Sequence, residues 1–133
     1  PVIIMERLFN PIYDIDMLAY NGNLVKSVIR RRLNPKNPND GHIIKNLPDL
    51  QKLAAKLCNI FKLNWLYDCD IMMNSNSEPI ILEINPRPSG SIAIPVAAGV
   101  NFIDAMISII NNEKVSLDDI KDDKIIIPFT SLI

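Results

Sequence analysis

Apolar residues recur along the chain at two different spacings, and the spacing changes where glycine, proline and asparagine cluster. Residues 2–6, with Val2-Ile3-Ile4-Met5, read as a buried strand. Residues 13–20 read as a second, and Asn21-Gly22-Asn23 supplies a turn that tolerates positive φ. Leu24 to Arg31 returns as the pairing strand. Three asparagines, two prolines and a glycine between Asn34 and Gly41 interrupt all regular structure, so that segment is expected as an exposed loop. From Pro48 the period becomes helical: Leu50, Leu53, Ala54, Leu57, Ile60 and Phe61 fall on one face, predicted as core together with Trp65.

Strand character resumes at Trp65 to Met73, turns at residues 74–77, and returns over Pro79 to Ile84. Asn85 to Gly90 forms a stiff loop, and a short helix from Ser91 to Ala98 stops at Gly99. Asn101 is placed to cap another helix reaching about Asn111. Lys124 to Ile133 has strand character, with Pro128 marking an edge or irregular piece. These elements predict an α+β fold: a mostly antiparallel sheet flanked by helices, with residues 1–133 forming a single domain.

Composition narrows the function classes. A chain of 133 residues that is 48% hydrophobic can bury a core. Its net charge of −1 gives no broad electrostatic footprint for nucleic acid or an anionic membrane, so bound phosphate must be held locally. No apolar run approaches a membrane span or a signal peptide, which makes the cytoplasm the expected location. Cys58 and Cys69 lack the paired spacing of structural zinc and are expected as buried, reduced thiols. Residue 1 is proline, and a strand-like run follows without a cap, so the chain is expected to begin inside a larger protein.

Candidate chemistry concentrates in the hairpin of residues 65–85. Magnesium takes oxygen ligands, commonly one or two carboxylates with phosphate oxygens and water. Glu83 and Asn85 lie two apart at the end of a strand and share a face, as do Asp68 and Asp70 on the neighbouring strand. Spacing does not choose between the two aspartates, because a one-residue slip in register exchanges the faces. Arg87, between Pro86 and Pro88, can meet phosphate in a bidentate way. Arg30 and Arg32 share a face at a strand end. His42 is expected as an ordinary surface residue, and Asp14 and Asp16 receive no role, since they alternate with apolar residues as in any half-buried strand. Ser89 and Ser91 lack the strained turn of a serine nucleophile; Ser89-Gly90 is better suited to offering backbone donors.

The run Leu82-Glu83-Ile84-Asn85-Pro86-Arg87 resembles the E-[IVM]-N-P-R signature of ATP-grasp enzymes, especially the carbamoyl-phosphate-synthetase-like and biotin-carboxylase-like branches. Asp70 lies 13 positions before Glu83, where that family places its first ligand, so the resemblance carries the metal roles to Asp70, Glu83 and Asn85 and leaves Asp68 second. Glu6, Arg7 and Leu8 resemble the hinge that receives adenine, largely through backbone groups. Arg30 and Arg32 fall where relatives hold phosphate or substrate carboxylate, and Arg87 takes the catalytic, phosphate-neutralising role. Ile12 stands where the family has a ribose-binding glutamate and cannot accept a hydroxyl.

The resemblance implies the second subdomain of an ATP-grasp fold, ATP with Mg2+ or Mn2+ as cofactors, and a small carboxylate as substrate. The reaction implied is activation of that carboxylate as an acyl phosphate for attack by an amine, ammonia or a similar nucleophile. Homo-oligomers stay open; nucleic acid and membrane partners are not expected. The family's upstream lysine and glycine-rich loop have no counterpart here, so this segment alone is expected to show little catalysis. The alternative is a non-catalytic nucleotide-binding or regulatory module of the same fold.

Overall fold

The computed structural model describes residues 1–117 and 119–129. Its sheet begins with β1 (Phe9–Tyr20) and β2 (Asn23–Arg32), joined by the two-residue turn Asn21-Gly22. Both turn residues have positive φ, 49° and 75°, the conformation a tight hairpin with right-handed strand twist requires. The expected strand at residues 2–6 is absent: Val2, Ile3, Ile4 and Met5 stand exposed, since no described strand pairs with them, and β1 starts only where Phe9 meets Met73.

The loop at 34–41 contains one 3-10 turn and leads into β3 (His42–Lys45), which pairs with Ile29–Arg32. The sequence pattern does not show this four-residue strand. Gly41 launches it at φ 109°, and a Cβ there would come within 2.9 Å of the Ile126 carbonyl oxygen. Helix α1 (Pro48–Phe61) carries proline at its first turn and ends on Lys62 in a left-handed conformation. Its buried stripe is Leu50, Ala54, Leu57 and Cys58. Ile60 and Phe61, expected in the core, fall outside that stripe and are exposed. Trp65 is likewise at the surface, its ring 5.7 Å from that of Tyr20.

Strands β4 (Trp65–Met73) and β5 (Pro79–Asn85) complete one side of the sheet. Helix α2 (Ala93–Ala98) stops at Gly99, and α3 (Phe102–Ile110) is capped by Asn101, whose side-chain oxygen accepts from the amides of Ile103 and Asp104. The two-residue β6 (Ile125–Ile126) lies at the sheet edge, just before Pro128; the strand character expected over residues 130–133 lies outside the described residues. Strand order is β5-β4-β1-β2-β3-β6, antiparallel throughout, which is the α+β architecture expected.

Alternation along β1 sends its residues to two cores. Tyr13, Ile15, Met17 and Ala19 pack with α1, Cys69 and Ile71. Leu18 packs on the opposite face with Val28, Ile44, Leu66, and the α2 and α3 residues Ile94, Ala98, Phe102 and Ala105. That second face is apolar only at one end. At the other, β1 presents Asp14 and Asp16, and there the candidate chemistry gathers.

Candidate functional site

Two irregularities in strand pairing decide which side chains share this face. A bulge between Leu18 and Ala19 shifts the β1–β2 register, placing Arg30 opposite Asp14. A second, between Asp70 and Ile71, places Glu83 opposite Asp70 and Asn85 opposite Asp68. On the other side of β4, Asp70 and Asp68 face Asp14 and Asp16. Directly opposed residues project to the same side of a sheet, so these strands assemble Asp14, Asp16, Asp68, Asp70, Glu83 and Asn85 on one surface.

Arginines from β2 bind the inner part of the cluster. Arg30 is fully buried, and its guanidinium is taken up by protein partners: Nε donates to Asp16 Oδ2 at 2.6 Å, Nη1 to Ser91 Oγ at 2.9 Å and Nη2 to Ser89 Oγ at 3.1 Å. Arg32 grips Asp14, its Nε lying 3.1 and 3.0 Å from the two carboxylate oxygens, while its Nη2 reaches both Asp14 Oδ1 and Asp70 Oδ2, the latter at 2.6 Å. His42 is not a surface residue. It is fully buried in β3 opposite Arg32, with Nε2 at 3.1 Å from Asp14 Oδ2 and 3.1 Å from Arg30 Nη1.

The outer part is open. Glu83 is exposed and accepts from Asn85 Nδ2 at 2.8 Å, which leaves the Asn85 amide oxygen as that side chain's ligand atom. Arg87 sits in the loop after β5, half exposed, with Nη1 at 3.5 Å from Asp68 Oδ2. Ser89, expected to offer backbone donors, is buried and accepts through its hydroxyl from both Arg30 and the Ser91 amide. Glu6, Arg7 and Leu8 precede β1. Glu6 and Arg7 are exposed, and the Arg7 guanidinium lies 5.4 Å over the Phe9 ring instead of joining the acidic cluster.

Electrostatics separates the carboxylates. Burial alone would raise Asp14, but hydrogen bonding to His42 and Arg32 and the charge of Arg30 hold it well below the usual carboxylate range. Burial pushes Asp16 up despite its bond to Arg30. Burial, then the charge of Asp16, raises Asp68 to about 6; burial, then the charge of Asp14, raises Asp70 to about 6 against the pull of Arg32. The Arg32 guanidinium is pushed up by its bond to Asp14.

These features fit a hard divalent cation. Oxygens of Asp14, Asp68 and Asp70 all lie within 4.8 Å of one another, and Asp68 Oδ1 is buried with no hydrogen-bond partner. Five carboxylates on this surface, Asp14, Asp16, Asp68, Asp70 and Glu83, face the three guanidinium groups of Arg30, Arg32 and Arg87. The carboxylates of this surface therefore outnumber its guanidinium groups by two. The three side chains that converge, Asp14, Asp68 and Asp70, offer only carboxylate oxygens, the donor type that suits magnesium or manganese. Sequence spacing gives Asp14 and Asp16 no role and His42 a surface position, because their placement here depends on the first bulge and on a four-residue strand.

Among the described residues no helix is long and apolar enough to cross a membrane. A search of curated sequences returned no match to the chain. Among solved structures the fold is similar to that of an L-amino acid ligase from Bacillus licheniformis, with a TM-score of 0.55 at 16% identity. That alignment covers 73% of this chain and 27% of the ligase, so the chain spans about a quarter of the protein it matches. The family described as ATP-grasp in the biosynthetic pathway with Ter operon matches residues 1–127. With nearly its whole length inside that match, and with the E-x-N-P-R run at the end of β5, the chain belongs to the ATP-grasp family.

Proposed function

We propose that this chain provides the magnesium- and phosphate-binding part of an ATP-dependent carboxylate ligase of the carbamoyl-phosphate-synthetase-like kind. The observation that carries the proposal is the cluster of converging carboxylates, which outnumber the guanidinium groups facing them, next to the exposed Arg87. Asp70 and Asn85 each bind one ion, Glu83 contributes to both, and Arg87 neutralises phosphate. Asp68, opposite Asn85, adds a carboxylate to the same surface. Glu6, Arg7 and Leu8 serve the adenine through their backbone. Held by these side chains, magnesium would supply positive charge to offset the negative charge that develops during phosphoryl transfer.

In the reaction a substrate carboxylate oxygen attacks the γ-phosphorus of ATP; the bond to the β-phosphate oxygen breaks and ADP leaves. An amine or ammonia then adds to the acyl carbon, inorganic phosphate departs with the C–O bond electrons, and the nitrogen loses a proton. In-line phosphoryl transfer asks the protein for position and charge and little covalent chemistry. Rigid strands provide that position here. The L-amino acid ligase similarity and the E-x-N-P-R run support this reaction class.

The test is ADP release by the full-length protein offered a panel of carboxylates and amines. Turnover that disappears in Glu83→Gln supports the ligase. No ADP with any pair, despite Mg-ATP binding, favours the second reading, a non-catalytic nucleotide-binding module. Ile12 in β1, where relatives carry the ribose-binding acid, is the observation on that side.

A further inference from the structure

We infer that Arg32 is a built-in counter-cation that competes with the metal for Asp70, and that ion entry releases its guanidinium to face the anionic reactants. The inference rests on the proposed metal site and goes beyond it in assigning a competitor to that site.

The geometry is specific. Arg32 Nη2 bridges Asp14 Oδ1 and Asp70 Oδ2, the latter at 2.6 Å, while Nε holds both oxygens of Asp14. Asp14 has a second partner, since His42 Nε2 lies 3.1 Å from its Oδ2. Arg32 is the only arginine hydrogen-bonded to Asp70 among the described residues. The two bonds therefore differ in what their loss would expose. Asp14 is almost completely buried and remains satisfied by His42, whereas Asp70 is partly open and lies across β4–β5 from Glu83.

A divalent ion shared by Asp70 and Glu83 would stand close to this guanidinium, and two cations near one carboxylate repel strongly in a partly buried site. Asp70 then turns from arginine to metal. Arg32 keeps its hold on Asp14 through Nε, and Nη2 gains a free donor for a phosphoryl or carboxylate oxygen. Arg30 differs: its guanidinium is enclosed by Asp16, His42, Ser89 and Ser91 and makes no hydrogen bond to Asp70. It serves as the internal control.

Mn2+ binding to the full-length protein without nucleotide, followed by the electron paramagnetic resonance of free Mn2+, tests the competition. Arg32→Met is expected to bind Mn2+ about tenfold more tightly than wild type, because one opposing charge is gone. Arg32→Lys keeps the charge and is expected to stay within about threefold of wild type. Equal or weaker binding by Arg32→Met overturns the inference and makes Arg32 a support for Asp70.

Wild-type protein provides a readout independent of whether the variants fold. During a Mg2+ titration the Arg32 Nε–H resonance in 15N-edited NMR is expected to move with saturation, while that of Arg30 stays in place. Ion binding with an unmoved Arg32 signal overturns this inference alone. No ion binding by wild type, with or without nucleotide, overturns the metal site as well.

Discussion

Replacing Arg30 with methionine removes the charge that compensates Asp16 while leaving that carboxylate in place. Both side chains are buried, with relative accessibilities of 0% and 1%, so water cannot take over the lost bond at 2.6 Å. Breaking one side of such a pair costs about 3–5 kcal/mol, against a total stability on the order of 5–15 kcal/mol. The hydroxyls of Ser89 and Ser91 also lose their donor, which loosens the loop that follows Arg87. With a urea dependence of about 2 kcal/mol per M, the unfolding midpoint should fall by about 2 M. The penalty should shrink below neutral pH, where Asp16, already raised by burial, can protonate in the variant. Arg30→Met with Asp16→Leu removes both charges and should recover a coupling of about 2 kcal/mol or more. A midpoint shift under about 0.5 M for the single variant would refute the claim that this buried pair organises the site.

Proton linkage gives a second prediction. In ion-free protein Asp68 and Asp70 are raised from 3.8 to about 6. Their contribution to stability is therefore present below pH 4 and lost as pH rises through about 6. Asp14, held low, contributes in the opposite sense, above its unfolded pKa, and loses that contribution only in strong acid. Thermal unfolding should thus show stabilisation by Mg2+ growing between pH 5 and 7.5, and a pH-independent Mg2+ effect would contradict it. Burial pushes the Cys69 thiol up to about 12 and also raises Cys58, so native protein should leave both unlabelled by a thiol reagent that modifies them in urea. Gly22 sits at φ 75° with a Cβ position 3.2 Å from Lys62 Cδ. Gly22→Ala should therefore lower stability by about 1–2 kcal/mol in urea unfolding.

Most elements were legible because their signals are local. Asn21-Gly22 marks a hairpin, Pro48 opens a helix, Asn101 caps one, and Gly99 ends another. The failures are cases where a neighbour decides. Val2 to Met5 has strand composition, yet no described strand lies beside it. His42 follows a loop rich in turn residues, and only the pairing of β3 with β2 and β6 encloses it. The composition of the site was hidden by register. Continuing the Tyr20–Asn23 pairing without a bulge would set Asp14 opposite Ile29, and Arg30 and Arg32 would project to the α1 face. The bulge at Leu18/Ala19 turns them toward Asp14 and Asp16. At β4–β5 the shift between Asp70 and Ile71 similarly matches Asp70 with Glu83 instead of Leu82. A single inserted residue in a ladder leaves no periodic trace, so Glu83 and Asn85 stand out as candidate ligands from the E-x-N-P-R run while the buried groups beside them do not.

The central claim is that Asp70, Glu83 and Asn85 together hold a divalent cation. Crystals of the protein grown with Mn2+ and a non-hydrolysable ATP analogue, measured for manganese anomalous scattering, test it directly. The expected result is a peak within coordinating distance of Asp70 and Glu83, with phosphate oxygens beside it and Arg87 turned toward them. Nucleotide bound with manganese liganded elsewhere, or with no peak at these side chains, would contradict it.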